Sequence, residues 1–303
     1  MSQPLPFPPY RLHDAYAAPA RPRCELWRTG LGATIILVAY IAAIQFLAGY
    51  YSSHYGDFLG RLLFNQMTLG ATPGAMLVLL FSFLGMVLGP LIVLPALHSR
   101  PAMSLLGPSP AQALSDFLRV AGVLLAFGLA TLILTLATGD LIRNPALSLR
   151  SFLLVLPLGL AGILVQTGAE ELVFRGYLQQ QLGARFRSSL VWMAVPAALF
   201  AMAHYDSALW GQNTLAIVGW TALFGIFATD LTARTGHLGA AIGFHFANNV
   251  SAMMLASIPG QMDGLALWLL PIDPASGQTM MVLAVDLMSL IVAWLLARLA
   301  LRL

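Results

Sequence analysis

Lysine is absent from this 303-residue chain, cysteine occurs once and glutamate three times. With Cys24 alone, an internal disulfide and a thiolate metal cluster are both excluded. Charged residues make up only 9% of the chain against 59% hydrophobic, and the mean hydropathy is +0.81. Soluble domains are about one-quarter charged, so this composition belongs to a polytopic membrane protein. The formal charge of +3 and the pI near 9.3 do not make it a nucleic-acid binder. Its fifteen basic residues, all arginine, are thinly spread and form no cluster interleaved with aromatics. The partner implied is the lipid bilayer, and no nucleic acid is expected. An internal repeat is also missing, which removes support for the inverted-repeat architecture of many secondary transporters.

What is present is a series of apolar runs long enough to cross about 30 Å of hydrocarbon. They are Leu31 to Tyr50, Pro73 to Leu97, Phe117 to Thr138, Phe152 to Leu182, Leu190 to His204, Thr214 to Leu231, Leu238 to Ile258 and Met280 to Leu301. Turn chemistry separates them, as at Arg100-Pro101, Asn144-Pro145 and Pro259-Gly260. The pattern predicts an all-α bundle of eight transmembrane helices over residues 29–303. Residues 1–28, rich in proline and polar groups and lacking a signal-peptide pattern, read as a disordered cytoplasmic tail. Trp27, Trp192, Trp210 and Trp268 fall near span ends and read as interfacial anchors.

Against this background the stretch Glu170-Glu171-Leu172-Val173-Phe174-Arg175-Gly176 is anomalous. Each such charge at the centre of a membrane helix costs roughly 2.5 to 3.5 kcal/mol on insertion scales, and an intramembrane ionisable group is by default a hypothesis about function. Two histidines also lie in apolar segments, His204 after Phe200 and His245 four residues before Asn249. Glu170 and His204 each stand seventeen residues from Arg187 in the turn between two spans, which sets them level, roughly 25 Å along each helix. Helical spacing then sorts the roles. Adjacent residues point about 100° apart, so Glu170 and Glu171 are not expected to face one centre, whereas Glu171 and Arg175 share a face as a pair. That pairing leaves Glu170 free. His245 and Asn249, also four apart, present an imidazole beside an amide. A carboxylate base with imidazole and amide donors is what peptide hydrolysis by activated water needs. No serine or cysteine signature points to a nucleophile.

Glu170-Glu171-x-x-x-Arg175, Phe200-x-x-x-His204 and His245-x-x-x-Asn249, in that order on successive helices, resemble the CPBP family of CAAX prenyl-protein endopeptidases and bacteriocin-processing (Abi) proteins. The resemblance covers about residues 150–255. It implies an intramembrane endopeptidase, with metalloprotease chemistry as a candidate, acting on a membrane-associated peptide or lipidated protein, with a prenylated CAAX-type end as one substrate. By likeness, Glu170 and His204 activate water, His245 and Asn249 stabilise the oxyanion, and Glu171 and Arg175 support the site. Some members act in bacteriocin immunity or as scaffolds, so a noncatalytic membrane scaffold is one alternative. A proton-coupled transporter using Glu170, His204 and His245 as a relay is another. Glu170, His204 and His245 are also candidate ligands for zinc or another divalent metal with a position left for water. The His-Glu-x-x-His helix is missing, and a metal-free glutamate mechanism stands equally open.

The arginines predict orientation. Arg175 aside, eleven lie in termini and loops on the side of the N-terminus, and only Arg61, Arg143 and Arg150 lie on the other. The positive-inside rule puts both termini in the cytoplasm. Reporter fusions at residues 140, 206 and 265 should therefore read outside, and a cytoplasmic signal at any of them breaks the eight-pass arrangement.

Overall fold

Each of the eight apolar runs is predominantly helical in the computed structural model, which describes residues 10–303. The elements in order are α1 (Arg11–Ala17), α2 (Leu26–Tyr55), α3 (Asp57–Leu69), α4 (Pro73–Ser82), α5 (Leu84–His98), α6 (Pro110–Thr138) and β1 (Ile142–Arg143). There follow α7 (Leu149–Glu171), a π-helical segment (Leu172–Leu178), α8 (Gln179–Arg185), α9 (Ser189–Met202), α10 (Ser207–Trp210), α11 (Thr214–Thr235) and α12 (Gly239–Val250). A second π-helical segment (Ser251–Leu255), β2 (Ala256–Ser257), β3 (Trp268–Leu269) and α13 (Gly277–Ala300) complete the chain. Local chemistry sets the boundaries. The hydroxyls of Thr72 and Ser109 accept the backbone N–H groups of Ala75 and Gln112, and Pro73 and Pro110 occupy the first helical positions of α4 and α6. Gly139 and Gly236 close α6 and α11 in the left-handed conformation that glycine adopts without a steric penalty. The three two-residue strands form a small clasp, with β3 antiparallel to β1 and parallel to β2.

The chain is an all-α polytopic membrane protein. Six helical segments are long and apolar enough to cross a membrane, namely Leu26–Tyr55, Pro73–His98, Pro110–Thr138, Leu149–Arg185, Ser207–Thr235 and Gly277–Ala300. The other two apolar runs give shorter helices. α9 has fourteen residues and α12 twelve, extended by a five-residue π segment. At 1.5 Å per residue they reach roughly 21 and 25 Å, short of the hydrocarbon thickness. The structure also adds α3, an exposed helix for which the sequence showed no span.

α12 occupies the centre of the bundle. Of its residues, Gly239 to Ala241, Gly243 to Ala247, Asn249 and Val250 are all buried. Phe244 belongs to an apolar cluster with Phe200, Phe224, Val120, Leu124 and Leu290, whereas Phe246 and Val250 belong to another with Met76, Leu80, Ile163 and Met254. Close approach to α6 depends on two glycines. A side chain at Gly239 would collide with the carbonyl of Ala113, and one at Gly243 with that of Phe117.

The expected disordered tail is corrected over residues 10–28, while residues 1–9 lie outside the described residues. α1 and the 3-10 turn Ala18–Arg23 bury His13, Tyr16, Ala17 and Ala20 against the bundle. The Tyr16 hydroxyl donates to the carbonyl of Leu105 at 2.7 Å and lies 3.2 Å from that of Arg175, and the Tyr10 hydroxyl donates to Asp230 Oδ1 at 2.8 Å. His13 stacks on Trp192 with ring centroids 3.9 Å apart. Trp192 is consequently buried at 3% exposure and is not an interfacial anchor. Aromatic and hydrogen-bonded contacts here outweigh the proline-rich composition that suggested disorder.

Burial pushes the His13 imidazole down from 6.5 to about 4. A detached segment takes up its proton near 6.5, so the docking free energy is complete above that pH and falls as the pH drops towards 4. The loss amounts to about 3 kcal/mol once the pH is below both values. Hydrogen–deuterium exchange over residues 11–23, corrected for intrinsic rates, should accelerate between about pH 7 and about pH 4.5. His13→Phe keeps the stacking and should flatten that dependence. Equal protection at both ends of the range would remove His13 as its cause.

Candidate active site

α7 and α12 each carry a group of polar residues just before their α-helical geometry widens into a π segment. Such widened turns recur at functional sites. Glu170 and Glu171 end α7, and His245 and Asn249 lie in the last two turns of α12. All four are buried, with Glu171 at 0% exposure, Glu170 at 7%, His245 at 3% and Asn249 at 7%.

Glu171 Oε1 accepts a hydrogen bond from Arg175 Nη1 at 2.8 Å, and both side chains are fully buried. The four-residue spacing anticipated this pair. The same carboxylate oxygen lies 2.8 Å from His245 Nδ1, and Glu170 Oε2 lies 3.4 Å from His245 Nε2. His245 therefore stands between both glutamates, which corrects the expectation that only Glu170 would face the centre. Neighbouring carboxylates diverge on the helix, but the imidazole's two nitrogens offer each of them a partner. The Nδ1 contact is of hydrogen-bond length, whereas the Nε2 contact is the longer of the two.

Aromatic rings seal the cluster. The Arg175 guanidinium lies over the ring of Phe200 at 4.5 Å. Phe200 and Phe224 approach His245 with centroids at 5.8 and 4.9 Å, both edge-on. Gly225 makes room for the guanidinium, because a side chain there would meet Ala197 at 2.9 Å and Arg175 Nη2 at 3.4 Å.

His204 is not part of this contact network. α9 ends at Met202, so His204 lies in the following turn and is exposed. Its Nδ1 is 2.8 Å from the carbonyl of Phe200, and its ring packs against Phe200 at 4.6 Å. No hydrogen bond or ion pair joins it to Glu170 or His245 among the described residues. Counting seventeen residues from Arg187 presumed a continuous helix reaching mid-membrane, and the short α9 does not supply one. The candidate metal set of Glu170, His204 and His245 is accordingly not assembled. Among the described residues no three His, Cys, Asp or Glu side chains lie together as a metal-holding group. Both nitrogens of His245 are already directed at carboxylates, so the donor set does not fit a three-ligand metal.

Sequence reasoning missed Gln166. It sits one turn before Glu170 at 4% exposure. Its Nε2 donates to Glu170 Oε2 at 2.6 Å, and its Oε1 accepts from Asn249 Nδ2 at 2.8 Å. The available signal was a glutamine four residues before a glutamate inside an apolar run.

Comparison with protein families places a match on this segment. Residues 150–251 match the family described as Type II CAAX prenyl endopeptidase Rce1-like. The segment is an Rce1-like domain. It contains every site residue described above, and α1 to α6 and α13 lie outside it. The chain is also similar to the uncharacterized protein YyaK of Bacillus subtilis (strain 168), 28% identical over 117 residues. That alignment covers 37% of this chain and 38% of YyaK. No solved structure matches the chain.

Removing one member of the buried Glu171–Arg175 pair strands the other. Arg175→Ala should cost about 3 to 5 kcal/mol, read as a lowered unfolding midpoint in detergent. Parental stability in that variant would show that the pair does not hold the Rce1-like domain together.

Proposed function

We propose that the protein is an intramembrane endopeptidase that hydrolyses a peptide bond of a membrane-associated, lipidated substrate. The observation that carries the proposal is His245 held between Glu170 and Glu171, with Asn249 one turn along the same buried helix. The similarity of residues 150–251 to the CAAX prenyl endopeptidase family supports it. Glu170 is the general base. It takes a proton from water, whose oxygen attacks the scissile carbonyl carbon, and the second N–H of Asn249 stabilises the resulting oxyanion while His245 holds the two carboxylates in place. The tetrahedral intermediate collapses by breaking the C–N bond, and the proton held by Glu170 passes to the leaving amine. His204, whose Nε2 has no partner among the described residues, is free to relay that proton. The reaction is proposed without a metal.

An apolar groove of about 390 Å³ between α11 and α13 supports a lipidated substrate. It is lined by Ala216, Gly219, Trp220 and Leu223 on one side and by Met280, Leu283, Ala284 and Leu287 on the other. Trp220 stacks on Phe224 at 5.8 Å, and Phe224 packs on His245, so the groove adjoins the site through two rings. In the proposed topology both termini are cytoplasmic and α9 and α12 are the two short passes among eight.

The test is purified protein incubated with lipidated and unlipidated membrane peptides, cleavage being read by mass. Glutamine nearly conserves volume but lacks the carboxylate base, so Glu170→Gln should fold and lose cleavage. His245→Ala and His204→Ala should lose it as well. Asn249→Ala should retain activity reduced about 100- to 1000-fold, as for loss of one oxyanion donor. Gly219→Leu, at a position with open space around it, should fill the groove and selectively impair lipidated peptides. Cleavage that survives exhaustive chelation supports the metal-free route, and loss restored by zinc overturns it. Normal cleavage by Glu170→Gln would defeat the catalytic reading in favour of a scaffold.

A further inference from the structure

We infer that Gln166 is a positioning residue that aims both the Glu170 carboxylate and the Asn249 amide at the substrate. The inference rests on the proposed hydrolysis. A primary amide offers one acceptor and one donor group at fixed separation, and here both are engaged, each with a different member of the site. The Nε2 group fixes Glu170 through Oε2, the oxygen that also faces His245, leaving Oε1 for water. The Oε1 acceptor draws in one N–H of Asn249, whose own Oδ1 accepts from Asn248 Nδ2 at 3.1 Å. Asn249 is thereby oriented from both ends, with its second N–H left for an oxyanion. Among the described residues Gln166 is also the one side chain that hydrogen-bonds to both Glu170 of α7 and Asn249 of α12, so it sets the spacing between base and oxyanion donor.

Gln166→Met keeps length and apolar fit while removing both hydrogen bonds. Misplacement of reacting groups by about 1 Å costs on the order of 100-fold, so kcat should fall by about that factor while KM stays near the parent's value. In the Asn249→Ala background the same change should cost less, because one of its two partners is already gone. A fall in KM affinity alone, full additivity with Asn249→Ala, or a parental kcat would each overturn the inference.

A second measurement does not depend on turnover. The chain contains five asparagines, so selective 15N-asparagine labelling gives a tractable set of side-chain amide signals. The signal missing from Asn249→Ala belongs to Asn249, and it should shift upfield in Gln166→Met as its hydrogen bond is lost. An unmoved signal overturns the inference whether or not any peptide is cleaved. If the parent cleaves none of the panel while the signal shifts, hydrolysis falls and the positioning contact stands. Gln166→Ala, which leaves room for water, serves should Gln166→Met not fold, with the same direction of change expected. Loss of the fold in both variants would make Gln166 a structural element and sink the proposal.

Discussion

Four ionisable side chains, Glu170, Glu171, Arg175 and His245, are brought to one place inside an apolar bundle, and their pairing with one another is the condition on which the arrangement depends. Taken alone, each would carry an uncompensated desolvation penalty. Together they pair across two helices, and the ring of Phe200 covers the guanidinium, while Glu171 Oε2 and Arg175 Nε and Nη2 stay buried without a hydrogen bond. The cluster is also asymmetric. Arg175 and His245 both bind Glu171 through Oε1, and its Oε2 is buried without a partner, so Glu171 is sealed inside the bundle. Glu170 is 7% exposed and reaches the surface of the cluster.

Holding that cluster demands close helix contact, and the small residues supply it. Gly239 and Gly243 bring α12 against α6, and Gly225 brings α11 against α9 with the guanidinium beside it. The π segments follow immediately, the first of them carrying Arg175, so both site helices change geometry beside the cluster. The N-terminal segment adds a further tie. Tyr16 bonds to the carbonyl of Leu105 and approaches that of Arg175, linking residues far outside the Rce1-like domain to its most buried cation.

Much of this was legible in the sequence, and the failures have physical causes. The pairs spaced by four residues needed only helical geometry, and the Glu171–Arg175 bond is as expected. The role of His245 was half-legible: spacing identified it, but not that one imidazole serves two carboxylates from its two edges. His204 was misplaced because residue counting carries depth only along an unbroken helix, and α9 stops two residues short of it. The tail was misjudged because composition weighs proline and charge but not the aromatic face that His13 and Tyr16 present to a partner surface. Gln166 gave almost no signal, since a lone glutamine acquires meaning only when Asn249, eighty-three positions later, arrives beside it.

The shortness of α9 has a consequence for the surrounding lipid. A helix of roughly 21 Å does not match a 30 Å hydrocarbon layer, and bilayers accommodate such mismatch by thinning at a cost of fractions of a kcal/mol per Å. α9 exposes Leu190, Leu199 and Met202, whereas α12 is buried within the bundle. In the proposed topology the bilayer is therefore thinnest beside α9, whose Phe200 packs on His245, and acyl-chain length becomes a variable of the site: thicker bilayers press against the short helix and thinner ones relieve it.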